Sequence, residues 1–157
     1  MRGIAVRLER SAEGLILRYE LDAELERLRI PQAGASRPGE KLWQHTCFEI
    51  FVSAGMPAYR EFNFSPSGEW ASYVFRGYRE REAASGDVEQ LSAGRKEDLL
   101  TIQARIRCAQ GKLKVALSAV IEDREGVLSY WALRHPPGKP DFHHPEGFAL
   151  ELDEFRN

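Results

Sequence analysis

The sequence predicts an all-β protein: an antiparallel β-sandwich of jelly-roll or immunoglobulin-like type, with about nine strands and at most one short helix. Three observations support this prediction. Apolar and polar residues alternate with a period of two, turn-forming residues separate these runs at short intervals, and only one short segment has helical character. A β-barrel is the second architecture compatible with the pattern. No stretch has the composition of a linker, so residues 1–157 are predicted to form a single domain.

The first half is predicted to contain a hairpin, a short helix and three further strands. Ile4, Val6 and Leu8 alternate with polar residues, and residues 15–21 do the same after the turn at 12–14. The segment DAELERLRIP, 22–31, begins with Asp and ends with Pro, as a short helix does. After the loop QAGASRPGEK, strands are expected in LWQHTCFEIFVS, YREFNFS and EWASYVFR.

The second half is predicted to contain four strands. The segment REREAASGDVEQLSAGRKED is polar and is expected to be a long connection or an edge strand. LLTIQARIRC and KLKVALSAVI alternate cleanly and meet at AQGK, so we expect them to pair as a hairpin. VLSYWAL and FALEL supply the last two strands.

The composition argues against several classes of partner. With 22 basic and 24 acidic residues the net charge is -2, and the absence of a basic run argues against nucleic acid. Charges in the first ten residues leave no room for a signal peptide, and no apolar run reaches the ~20 residues of a membrane span. Cys47 and Cys108 are too few for a disulfide framework. We therefore expect a cytoplasmic protein with reduced thiols that does not bind a membrane.

The three central strands are predicted to have one apolar side and one side that mixes aromatic with hydrogen-bonding groups, because residues two apart on a strand share a face. The apolar side is assigned Phe48, Ile50, Val52, Phe62, Phe64, Ala71, Tyr73 and Phe75. The other side is assigned Trp43, Glu49, Asn63, Ser65 and Trp70.

Tryptophan beside carboxylate and amide groups is unusual on a plain solvent face and is typical of a binding surface. A sugar ring suits it, since an aromatic ring takes the C–H face and a carboxylate or amide takes the hydroxyls. The alternative is that the tryptophans pack under loops and the polar groups satisfy the backbone.

Residues 42–79 resemble DOMON-like domains, bacterial proteins grouped with the family 9 carbohydrate-binding modules. The resemblance rests on the pattern W-x5-E-x-F from Trp43 to Phe51, on Y-x-E-F-N-x-S-P-x-G over 59–68, and on the terminal stretch WALRHPPGKPDFHHPEGFALEL. It implies a jelly-roll sandwich in which tryptophans hold a sugar, with Trp43 and Glu49 at matching positions. The late second tryptophan of those modules has no counterpart, so Phe142 or Trp70 would have to replace it. The missing secretion signal is a second departure.

The stretch HPPGKPDFHHPEGF, 135–148, contains residue types that bind metals: His135, Asp141, His143 and His144. Their spacing matches no established metal-binding pattern, and the prolines favour a rigid loop that closes over one end of the binding surface. Other DOMON domains bind haem through Met and His, but Met56 lies in a predicted turn. His45 and Cys47 share a predicted face, without an evident oxyanion-binding group.

We therefore predict a non-catalytic domain that binds a small polar ligand, most plausibly a carbohydrate, without a cofactor. The predicted ligand-binding residues are Trp43, Glu49, Asn63, Ser65, Trp70 and Phe142. One alternative is a metal- or haem-binding redox or enzymatic domain that uses the C-terminal histidines. Another is a protein-interaction domain. The sequence makes no prediction of the oligomeric state.

Overall fold

The computed structural model describes residues 2–84 and 86–156, and it confirms the predicted all-β sandwich. The described residues form twelve strands, where about nine were predicted. Helical structure in the described residues is limited to three 3-10 turns, at Leu25–Arg27, Leu42–Gln44 and Pro145–Gly147. None of these segments has the length or apolar character that a membrane-spanning helix requires.

The smaller sheet has four antiparallel strands. They are β1 (Gly3–Arg10), β2 (Gly14–Asp22), β8 (Val88–Lys96) and β9 (Leu99–Arg107), in the order β1-β2-β9-β8. The larger sheet contains β3 (Arg37–Pro38), β4 (Cys47–Gly55), β5 (Ala58–Phe64), β6 (Glu69–Gly77), β7 (Glu80–Ala84), β10 (Leu113–Glu122), β11 (Leu128–Ala132) and β12 (Leu150–Leu152). Its order is β11-β10-β4-β5-β6-β3, with β12 paired to β10 and β7 paired to β6. Among its pairs only β3–β6 is parallel.

The main core lies between the two sheets. Leu17 and Ile102 of the smaller sheet and Phe48, Ile50 and Phe62 of the larger one are fully buried there. Burying a side chain of this size contributes roughly 1.5–3 kcal/mol. The alternating patterns of β2 and β9 are therefore explained by one side of each strand that packs into this core.

A second apolar cluster covers the opposite side of the larger sheet, which we call its outer face. Cys47, Phe51, Tyr59 and Tyr73 are buried in it, and Phe148 covers them from the segment that connects β11 to β12. We call this segment, residues 133–149, the C-terminal loop. Both faces of the larger sheet are thus covered over part of their area.

Two predictions about single elements need correction and a third is confirmed in part. The helical segment at 22–31 is reduced to the 3-10 turn Leu25–Arg27. The polar segment after β6 does supply an edge strand, β8 of the smaller sheet, but it also forms β7; Ser85 between them lies outside the described residues. The hairpin at AQGK is wrong, because β9 pairs with β2 and β8 whereas β10 pairs with β4, β11 and β12. β9 and β10 belong to different sheets, and each buries one side in the same core. The prediction failed because alternation identifies the buried side of a strand but not its partner strand.

The predicted division of the third central strand, β6, is also wrong. Asn63 pairs with Ala71 and Phe64 with Trp70. Trp70 therefore shares the side of Phe64 and packs against the main core, while Tyr73 lies on the outer face. The reason is that apolar residues cover both faces of this sheet, so hydrophobicity alone does not distinguish them.

Candidate functional site

A pocket of about 460 Å³ lies on the outer face of the larger sheet, under the C-terminal loop; we call it the outer pocket. Strands β4, β5, β6 and β10 form its floor, and the turn before β4, the turn between β6 and β7, and the C-terminal loop form its walls. It is lined by five aromatic side chains, by charged groups and by three further residues: Trp43, Tyr73, Phe75, Tyr130, Phe142; Glu49, Glu61, Arg79, Arg81; Val120, Pro140 and His143.

Trp43 stands at one wall because the chain forms a 3-10 turn at Leu42–Gln44 before it enters β4. The indole is 40% exposed and meets the ring of Tyr73 edge-on at 6.3 Å. Across the pocket, Tyr130 of β11 and Phe142 of the C-terminal loop form a second edge-on pair at 6.1 Å. The outer pocket therefore has aromatic rings on two sides.

A row of buried polar side chains crosses three adjacent strands at the level of the floor, and its central member, Glu49, lines the outer pocket. Ser118 of β10 pairs with Glu49 of β4, and Glu49 pairs with Asn63 of β5. Glu49 is 2% exposed and Asn63 is fully buried. Ser118 Oγ, Glu49 Oε2 and both polar atoms of the Asn63 amide have no hydrogen-bond partner among the described residues. Buried polar atoms are normally satisfied, so this row has unused hydrogen-bonding capacity that a ligand or water can fill.

Glu61 adds a second buried carboxyl group beside this row. It lies on β5 two residues from Asn63, is 6% exposed, and its Oε1 is 3.5 Å from His143 Nε2. Burial raises the pKa of Glu61 to about 7, against smaller lowering effects of Asn63, Arg79 and Arg81. Burial also raises the pKa of Glu49 well above its usual range, and the neighbouring Glu61 adds to that rise. The floor thus holds two carboxyl groups that titrate outside the range of exposed ones.

The C-terminal loop is fixed to the sheet by His143. Its Nδ1 lies 2.7 Å from the Tyr59 hydroxyl, which accepts the Arg79 backbone N–H at 3.1 Å. Tyr59 then donates to Nδ1, and the Nε2–H of a neutral imidazole faces Glu61. Burial lowers the pKa of His143 to about 4, with a further lowering by Arg79, so the ring is neutral at neutral pH.

Asp141 provides a second attachment of the C-terminal loop. Its Oδ1 accepts from Arg79 Nη2 at 2.9 Å and from the His143 backbone N–H at 3.1 Å, and its Oδ2 accepts from the Tyr78 hydroxyl. Phe148 is buried against Tyr59 and Phe51. The loop is therefore a packed wall of the outer pocket, as the proline-rich sequence predicts.

The structure brings three of the six predicted ligand-binding residues into the outer pocket: Trp43, Glu49 and Phe142. Asn63 lies directly beside Glu49 in the buried row. Ser65 is used in a turn, where its hydroxyl accepts from the backbone N–H and the hydroxyl of Ser67.

Trp70 lies on the side of the sheet opposite to Glu49, so it does not complete the outer pocket. It borders a neighbouring depression that also contacts Trp43 and Tyr73. Phe142, the other residue named for a second stacking position, does line the outer pocket, together with Tyr130.

The four histidine-loop candidates for a metal do not converge. Asp141 and His143 have the contacts given above, His144 Nδ1 accepts the Glu146 backbone N–H, and His135 lies beside the Phe142 ring at 6.3 Å. No group of three or more potential ligands is present in the described part of the chain.

His45 and Cys47 are also separated. The His45 imidazole bonds to Glu122 Oε1 at 2.9 Å, outside the outer pocket, and the Cys47 thiol is fully buried. Burial raises the pKa of Cys47 well above its usual range, which makes it a poor nucleophile.

Glu61, Tyr73, Arg79 and Tyr130 line the outer pocket but are not among the sequence-predicted ligand residues. Glu61 could have been found, because it shares the strand face of Asn63. Tyr73 was assigned to the wrong side of the sheet. Arg79 and Tyr130 reach the outer pocket only because of the order of the strands in the sheet, which the sequence does not reveal.

No protein-family model matches the sequence, and no curated protein matches it. The fold is similar to the solved structure of a "putative carbohydrate-binding protein" from Bacteroides uniformis ATCC 8492. The TM-score is 0.65 and the identity is 15%, over 96% of this chain and 77% of that chain. At this identity the similarity concerns the fold, and it agrees with the two-sheet sandwich described above.

Proposed function

We propose that the protein binds a carbohydrate in the outer pocket, without catalysing its conversion. The observation that carries the proposal is the position of Trp43, which is 40% exposed above a floor that contains Glu49, whose buried Oε2 has no hydrogen-bond partner among the described residues. Trp43 offers a surface for the C–H face of a sugar ring, and the floor offers acceptors and donors for its hydroxyls. Phe142 and Tyr130 would contact the ring from the other side.

The structural comparison supports this proposal in a general way. The Bacteroides protein of similar fold is described as carbohydrate-binding in the terms quoted above. The resemblance of residues 42–79 to DOMON-like domains and family 9 carbohydrate-binding modules points to the same ligand class. We propose membership of that group on the basis of Trp43, Glu49 and the covering loop.

Titration with a panel of neutral mono- and disaccharides, followed by intrinsic tryptophan fluorescence, tests the proposal. The Trp43→Ala variant should lose the sugar-dependent signal and bind at least about tenfold more weakly by calorimetry, a loss of about 1.4 kcal/mol. Trp131→Ala is a matched control, since Trp131 is 39% exposed but lies outside the outer pocket. Equal loss of binding in the two variants, or normal binding by Trp43→Ala, would contradict the site assignment.

A further inference from the structure

We propose that the saccharide recognised in the outer pocket carries a protonated amine, which binds between Glu49 and Glu61. This inference rests on the proposed function and names its ligand class, an amino sugar. It follows from how charge is distributed between the floor and the rim of the pocket.

The floor contains two carboxyl groups without a cationic partner. In residues 2–84 and 86–156, neither Glu49 nor Glu61 forms an ion pair with lysine or arginine, and the one basic side chain in contact, His143, is neutral. A buried carboxyl group without a counterion is held in its protonated form, which is why the pKa of both groups is raised. An ammonium group placed beside them supplies the missing counterion, so its binding favours the carboxylate forms and releases protons, whereas a neutral sugar does neither.

The arginines at the rim are directed to other groups. Arg79 pairs with Asp141 at 2.9 Å. Arg81 lies over the ring of Tyr73, with its guanidinium carbon 4.8 Å from the ring centroid. They lower the pKa of Glu61 without neutralising either carboxyl group by contact.

The positions on the sheet allow one ammonium group to reach both carboxyl groups. Glu49 pairs with Asn63 and Glu61 with Phe51, so the two glutamates are diagonal neighbours on adjacent strands. The Cα atoms of diagonal neighbours are roughly 7–8 Å apart. Two glutamate side chains can bridge that separation around one cation. An ammonium group has three donors, and both Glu49 and Glu61, which line the outer pocket, can accept from it.

The aromatic lining favours a cation as well. A positive charge is attracted to the faces of aromatic rings, most strongly to tryptophan, and the attraction grows when the site is shielded from water. Trp43 and Phe142 are both in the lining. A sugar that stacks on Trp43 can therefore place an amine toward the floor while its ring stays at the aromatic walls.

Four monosaccharides that share one pyranose ring test the inference: glucose, glucosamine, N-acetylglucosamine and glucuronate, titrated near neutral pH by calorimetry and tryptophan fluorescence. We expect glucosamine to bind at least about tenfold more tightly than glucose or N-acetylglucosamine, which have no positive charge. Glu61→Gln and Glu49→Gln should each lower the affinity for glucosamine more than the affinity for glucose, so that the ratio of the two affinities falls toward one. Glu151→Gln, an exposed carboxylate on β12 outside the pocket, is the matched control and should keep the preference.

Equal affinity for glucose and glucosamine overturns this inference and leaves the proposed carbohydrate binding intact. Tightest binding of glucuronate also overturns it, and would assign the recognition of charge to Arg81 instead. No binding of any sugar in the neutral panel or in this set contradicts the proposed function, and the inference falls with it.

Discussion

Glu61 and His143 face each other in the outer pocket, and their titration should have opposite effects on stability. The unfolded chain loses the Glu61 proton near pH 4.5, but the folded protein keeps it up to about pH 7. Stability from this group is therefore complete at low pH and is lost as the pH rises through that window. The unfolded chain protonates His143 near pH 6.5 and the folded protein only near 4, so stability from this group is lost as the pH falls.

Two substitutions should separate these effects. In Glu61→Gln, the free energy of unfolding should rise more steeply with pH from 4 to 7 than in the wild type, by on the order of 3 kcal/mol over the interval. In His143→Asn the change should be opposite. As the pH rises from 4 to 6.5, the free energy of unfolding should fall more steeply, or rise less, than in the wild type. Urea denaturation at a series of pH values measures both slopes. Parallel curves for the two variants and the wild type would show that neither residue titrates as described.

Some residues of the site could be predicted from the sequence and others could not. Glu49 and Asn63 alternate with fully apolar residues on strands β4 and β5, so their common face could be predicted from a period of two. Trp43 was predicted for its chemistry, and it lines the outer pocket from a 3-10 turn and not from the strand. Tyr130 could not be predicted, because it reaches the pocket only through the pairing of β11 with β10.

At the scale of elements, the C-terminal loop should behave as a wall held by a few polar contacts. Asp141→Ala removes the acceptor for Arg79, Tyr78 and the His143 backbone, so the loop should open more often. We expect amides of residues 134–147 to exchange at least about tenfold faster, since a few exposed contacts secure this segment. Global stability should fall by only about 1 kcal/mol, as for a partly exposed ion pair. Hydrogen exchange measured by mass spectrometry checks both points.

Glu146→Ala is the control for this experiment, because Glu146 lies in the same loop but its exposed side chain forms no hydrogen bond or ion pair with another described residue. Its exchange pattern should match that of the wild type. Unchanged exchange in Asp141→Ala would mean that apolar packing of Phe148, and not the Asp141 contacts, holds the loop in place.

The elements themselves were predictable to the extent that local pattern determines them. The first hairpin and strands β4, β5, β9 and β10 have strict alternation or strong apolar runs, and the structure confirms them as strands. The pairing of β9 with β10 failed because it depends on which sheet each strand joins, a choice made by contacts distant in sequence. The side assigned to Trp70 failed because the C-terminal loop covers the outer face, and its position is equally non-local.

At the scale of the whole molecule, the larger sheet connects the two apolar clusters. Phe48 and Phe51 are both fully buried on β4, but Phe48 packs into the main core and Phe51 into the outer-face cluster. A strand that is buried on both sides transmits the loss of packing on one side to the other. We therefore propose that the chain is one domain, in which the two clusters unfold together.

Equilibrium unfolding tests this cooperativity. Circular dichroism and tryptophan fluorescence should give coincident transitions, because Trp43 and Trp131 lie at different parts of the sandwich. Phe48→Ala and Phe51→Ala should each lower the free energy of unfolding by about 3–5 kcal/mol, and both probes should move together in each variant. If the outer-face cluster were an independent layer, Phe51→Ala would produce an early fluorescence change that circular dichroism does not follow. That outcome would separate the outer pocket from the sandwich that supports it, and would contradict a single cooperative domain.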